Sequence, residues 1–81
     1  MRIDKFLKVS RILKRRTVAQ TAADNGRVVV NGKTVKPSYR VKIGDVVELI
    51  YNEGTLKFEI LEILETIRKE QAENLYKILE N

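Results

Sequence analysis

The sequence predicts an α+β fold: two N-terminal helices packed on a small, mostly antiparallel sheet, with a C-terminal helix. Three observations carry that reading. Apolar residues recur at spacings of three and four through the first 23 positions. The period drops to two after Gly26, around the pair Asn31-Gly32. Helical spacing returns from about Thr66, where Ala72, Leu75, Tyr76 and Leu79 share one face.

Each element has a local reason. Over residues 3–13, Ile3, Phe6, Leu7, Ser10 and Leu13 form one side of a helix, with Asp4, Lys8 and Arg11 opposite. Val9 and Ile12 lie on a flank for another element to cover. Asp4 stands one turn before Lys8, and its charge suits a helix N-terminus. Thr17 reads as the N-cap of the second helix, and Gln20 three residues later completes a T-x-x-Q capping box. Val18, Ala19, Ala22 and Ala23 supply its buried side, and Asn25-Gly26 ends it. Residues 27–30 and 33–36 are strands around Asn31-Gly32, whose two positions suit the positive φ of a tight hairpin. Pro37 stops the second strand. Further strands are expected over 46–51 and 55–63, joined by Asn52-Glu53-Gly54, with alternation in Leu56, Phe58 and Ile60.

The chain of 81 residues, 43% hydrophobic and 33% charged, is expected to be a single domain over 1–81. No apolar run approaches the roughly 18 residues of a membrane span. The opening Met1-Arg2-Ile3-Asp4 is unlike a signal peptide, so a cytoplasmic location without membrane association is expected. Cysteine and histidine are both absent. That excludes disulfides, thiolate zinc sites, Cys or His nucleophiles and Ser-His-Asp relays. A protein that is not an enzyme, with no metal and no cofactor, is the expectation.

Charge is sorted along the chain. Residues 1–42 carry twelve Lys or Arg against Asp4 and Asp24, a net +10. Residues 43–81 carry four against nine Asp or Glu, a net −5. A concentrated positive field is the footprint of a polyanion partner. Structured RNA is read by shape and by contacts to phosphates and 2′-hydroxyls, so it needs fixed cations on rigid elements. Lys14, Arg15 and Arg16 precede the second helix, whose free N–H groups favour phosphate. Lys5, Lys8 and Arg11 extend that surface along the first helix. Asp4 either orients Arg2 or Lys8, or caps the helix. Lys33, Lys36 and Arg40 surround the hairpin, either at the RNA rim or as edge lysines that prevent aggregation. Two other functions compete. Two short helices and a basic turn also fit a helix-turn-helix DNA-binding module. Glu62, Glu65, Glu70, Glu73 and Glu80 could instead serve a protein-interaction adaptor.

Arg2-Ile3-Asp4-Lys5-Phe6-Leu7, Ser10-Arg11, Arg15-Arg16-Thr17, the run from Asn25 to Gly32 and Gly44-Asp45 together resemble the S-four RNA-binding domain, or alpha-L motif. The resemblance covers residues 2–50 as the RNA-binding core and leaves 51–81 as a final strand and an acidic C-terminal helix. Within that superfamily the chain is similar to the RqcP-type (YabO) proteins of bacterial ribosome-associated quality control, and less closely to heat-shock protein fifteen. The stretch 69–76 supports the first comparison. The resemblance implies a protein that catalyses nothing and binds a large ribosomal subunit carrying stalled peptidyl-tRNA. It implies contacts to large-subunit ribosomal RNA and to the tRNA, beside an RqcH/NEMF-type tailing factor.

Overall fold

The computed structural model describes residues 1–79. Helix α1 spans Ile3–Val9 and helix α2 Arg16–Asp24. Both pack on one face of a five-stranded antiparallel sheet. Its strands are β1 (Val28–Val30), β2 (Lys33–Thr34), β3 (Val46–Tyr51), β4 (Gly54–Ile60) and β5 (Tyr76–Ile78), in the spatial order β2-β1-β3-β4-β5.

The α+β class and the hairpin hold as expected. Asn31 and Gly32 both take positive φ, +51° and +84°, as a tight two-residue turn requires. Strand β3 occupies the expected residues, while β4 stops at Ile60. The C-terminal segment differs in kind. A 3₁₀ helix, Lys69–Leu75, replaces the long helix, and the chain then becomes β5. Strand pairing explains the change: Tyr76 pairs with Ile60, Lys77 with Glu59 and Ile78 with Phe58, so the open edge of β4 is covered. The shared helical face therefore splits. Ala72 and Leu75 are buried by the 3₁₀ helix, and Tyr76 sets its ring edge-on to Phe58 at 5.6 Å.

The core joins Ile3, Phe6 and Leu7 of α1 and Ala19 and Ala23 of α2 to Val28, Val47, Leu49, Phe58 and Ile60 of the sheet. Phe6 and Phe58 stack with ring centroids 6.3 Å apart, locking α1 to β4. Val18 is half-exposed rather than buried, because the small Ala19 and Ala23 form the contact line. Val9 and Ile12 are partly buried against the core, as their flank position suggested.

Both helices end on a residue in the left-handed region. After α2, Gly26 at φ +73° donates its N–H to the Ala23 carbonyl, and the Arg27 N–H reaches back to Ala22. Helix α1 ends four residues earlier than expected because Arg11 takes φ +63° in the corresponding place. Its N–H bonds to Lys8, and the Leu13 N–H reaches back to Leu7.

A candidate RNA-binding face around a buried carboxylate

Asp4 does not lie on the outer side of α1. It is fully buried, because α2 crosses over that flank. Its Oδ2 accepts hydrogen bonds from Arg2 Nη2 at 3.1 Å and from Gln20 Nε2 at 3.0 Å. Arg16 Nε lies 3.2 Å from the same oxygen as an ion pair without hydrogen-bond alignment. Oδ1 accepts the Lys5 backbone N–H at 2.8 Å. Burial alone would raise this carboxyl. The hydrogen bonds from Gln20 and the Lys5 backbone, with the adjacent Arg16 guanidinium, outweigh burial and hold it below its ordinary value. It is thus a fixed anion between two helices.

Two expectations are corrected by this geometry. Of the two partners expected for Asp4, it takes Arg2 and not Lys8, and it adds Arg16 from the second helix. Thr17 is not a cap, because α2 begins at Arg16 with Arg15 at the N-cap position and no side-chain capping bond. Gln20 is accordingly free of the capping box, and its amide spans the helix interface to Asp4. Each arginine keeps about two-fifths of its side chain exposed, 41% for Arg2 and 42% for Arg16. Both guanidinium groups are therefore anchored inside and presented outside.

Other cations assemble around them. Lys5, Lys8, Arg11 and Arg16 line one groove, and Lys8, Arg11 and Lys14 line a second that shares two of its walls. Arg15 is exposed at the start of α2, whose first N–H groups have no intrahelical acceptor. A single antiparallel bridge puts Arg40 opposite Arg2, on the same side of the backbone pair. Lys33 and Lys36 are exposed near the hairpin, and Lys33 faces a different groove with Tyr39. Thr17 turns to a fourth groove, beside Thr21 and Arg27.

Sequence reasoning missed two features. Glu65, on the connection after β4, forms an ion pair with Lys5 Nζ at the edge of the basic groove. Asp45 is a second buried carboxylate. It accepts the Asn31 side-chain amide at 3.0 Å, the Lys42 backbone N–H at 2.9 Å and the Tyr39 hydroxyl at 3.4 Å. Burial, with the charge and hydrogen bond of Asp45, raises the Tyr39 hydroxyl above its ordinary value. No local spacing signals the Lys5–Glu65 and Asn31–Asp45 pairs, whose partners lie 60 and 14 residues apart. Of the acidic side chains suited to an adaptor, Glu62, Glu70 and Glu73 are exposed, and Glu80 lies outside the described residues. Among the described residues no group of three potential ligands could hold a metal, and no helix is long and apolar enough to cross a membrane.

A basic face built on two short helices, with a hairpin behind it, defines the class. The family model of the S4 domain matches residues 1–47. Proteins named "RQC P-site tRNA stabilizing factor" are similar over almost the whole chain. The one from Bacillus subtilis is 46% identical over 98% of this chain and 92% of its own length. The one from Listeria innocua is 53% identical, over 98% and 86%. The trimeric structure of Vibrio cholerae heat shock protein 15 superposes with a TM-score of 0.90 at 31% identity, covering 98% of this chain and 81% of that one. The chain belongs to the S4 domain family and, within it, to the family of those tRNA-stabilizing factors.

Proposed function

We propose that the protein binds RNA on the large ribosomal subunit, stabilising peptidyl-tRNA in the P site during ribosome-associated quality control. The names of its relatives support the setting. The observation that carries the chemistry is the Asp4 carboxylate holding Arg2 and Arg16 at one oxygen, beside the start of α2. Two guanidinium groups fixed from behind present their outer N–H donors without first losing side-chain freedom. Phosphate, which offers two oxygens to the two N–H donors of a guanidinium edge, matches that fork. The grooves of Lys5, Lys8, Arg11 and Lys14 extend the contact, and Arg15 and Arg40 flank it. Lys33, Lys36 and Thr17 serve at the rim. In this reading the protein works as a cytoplasmic, ribosome-bound factor beside an RqcH/NEMF-type tailing factor and performs no chemistry of its own.

Sedimentation with purified large ribosomal subunits tests the assignment. Arg16→Ala should weaken binding by roughly ten- to a hundredfold, the range of charge-assisted hydrogen bonds worth about 1.5 to 3 kcal/mol. Arg16→Lys should recover part of that, keeping charge without the fork. Lys77→Ala, on β5 opposite Glu59, should bind as the unaltered protein does. Equal binding by the Arg16 and Lys77 variants would remove the RNA face from this site.

A further inference from the structure

The basic groove is closed on one side by an acid. Its walls include Lys5 and Lys8 from α1, Arg11 just beyond it, Arg16 at the start of α2, and Glu65 and Thr66 from the connection between β4 and the 3₁₀ helix. Glu65 reaches across sixty positions of sequence to pair with the Lys5 ammonium. Its side chain is otherwise 73% exposed, and the connection that carries it, residues 61–68, has no helix or strand. The hydrogen bond and charge of Lys5 are the main reasons that its carboxyl lies below the ordinary value, with the N-terminal ammonium adding to them.

A carboxylate offers an ammonium much of what a phosphate offers: paired oxygens sharing a negative charge. We propose that Glu65 is a tethered competitor for RNA phosphate at Lys5, occupying that cation in the free protein and leaving it when RNA enters the groove. This inference rests on the RNA-binding reading of the same groove. Exposed ion pairs are weak and screened, so the carboxylate leaves without disturbing the fold. Because it is tethered, Glu65 competes at a constant local concentration. A lone phosphate gains little by displacing it. A folded RNA that also delivers phosphates to Lys8, Arg11 and Arg16 offsets the lost pair several times over. The device therefore favours densely phosphated surfaces over isolated anions.

Affinity for salt-washed large ribosomal subunits, measured at fixed ionic strength, tests this. Glu65→Gln should bind about two- to fivefold more tightly, the span of an exposed ion pair. Glu70→Gln makes the same change of charge on the 3₁₀ helix and should gain less. Lys5→Ala should cost more in the Glu65→Gln background than alone, because the unaltered protein has already committed Lys5 to Glu65. The proposal is overturned if Glu65→Gln gains no more than Glu70→Gln, or if it weakens binding. Arg16→Ala separates the two failures. If it weakens binding while Glu65→Gln does not strengthen it, only the competitor falls; if it too is without effect, the RNA-binding reading of the groove falls as well.

Discussion

Asp4 and Asp45 are both buried carboxylates that satisfy their oxygens with several donors, yet they are built for different purposes. Asp45 collects neutral groups: a backbone N–H, the Asn31 amide and the Tyr39 hydroxyl. Asn31 in turn accepts the Val46 N–H at 2.9 Å, so the network ties the β1–β2 turn to the start of β3. Everything it touches is part of the scaffold. Asp4 collects two cations whose far ends stand in solvent, and a glutamine from the facing helix. The difference lies in where the charge goes. One carboxylate is spent on closing a turn, and the other sets the positions of charges meant for something outside.

That contrast can be broken by substitution. The largest effect is expected at Asp4. Asp4→Asn should lower stability by about 1 to 3 kcal/mol, since the arginines lose their charged acceptor. It should also weaken binding to ribosomal subunits about tenfold. The variant is one unit more positive, so weaker binding would report lost positioning rather than lost attraction. Acid supplies a second readout. A carboxyl held below its ordinary value stabilises the fold fully above the unfolded-state value, near about 4, and loses that contribution as pH falls through the lower folded value. The melting temperature should hold between about pH 7 and pH 5 and fall below about pH 4, with a shallower fall in Asp4→Asn.

Asp45→Asn should cost a comparable 1 to 3 kcal/mol, estimated roughly from the buried donors it leaves unpaired. Ribosome binding by the folded variant should be unchanged. Loss of binding at matched folded fraction would erase the distinction between the two carboxylates. A smaller effect of opposite sign is expected at Arg11. Its left-handed backbone occupies the place that Gly26 fills after α2, and a non-glycine residue there costs about 1 kcal/mol or more. Arg11→Gly should raise stability by roughly 0.5 to 1 kcal/mol, strain relief exceeding the added unfolded-state entropy. It should weaken RNA binding at the same time, because Arg11 lines both basic grooves. The smallest effect belongs to Thr17. Exposed and not a cap, it should change the stability by less than about 0.5 kcal/mol on replacement by alanine. A full capping loss on thermal melting would restore it to the helix N-terminus.

Thr17 marks the limit of what could be read from the chain alone. Turns were legible because their chemistry is local: Asn31-Gly32 and Asn25-Gly26 need only their own backbone angles. Helix starts and buried charges were not, since Gln20 suits a capping box as well as it suits Asp4. Packing of α2 on α1 decided between them. The segment after Thr66 failed for the same kind of reason. Its apolar spacing fits a helix, but pairing with Ile60 and Phe58 draws Tyr76 and Ile78 into the sheet. The basic face was visible as composition, whereas Glu65 could be placed in it only once the connection after β4 had been traced.

The bridge between Arg2 and Arg40 bears on how the protein comes into being. The Ile3 N–H donates to the Tyr39 carbonyl at 2.7 Å, and the Val41 N–H donates to Met1 at 2.9 Å. The start of α1 is thus held in place by residues made some forty codons later. Until that stretch emerges, α1 has no anchor at its start, and Phe6 has no ring to stack on before Phe58 is made. The helices that carry the basic grooves are made before the strands that organise them. A growing copy therefore lacks its assembled basic face until the residues of β4 have been made.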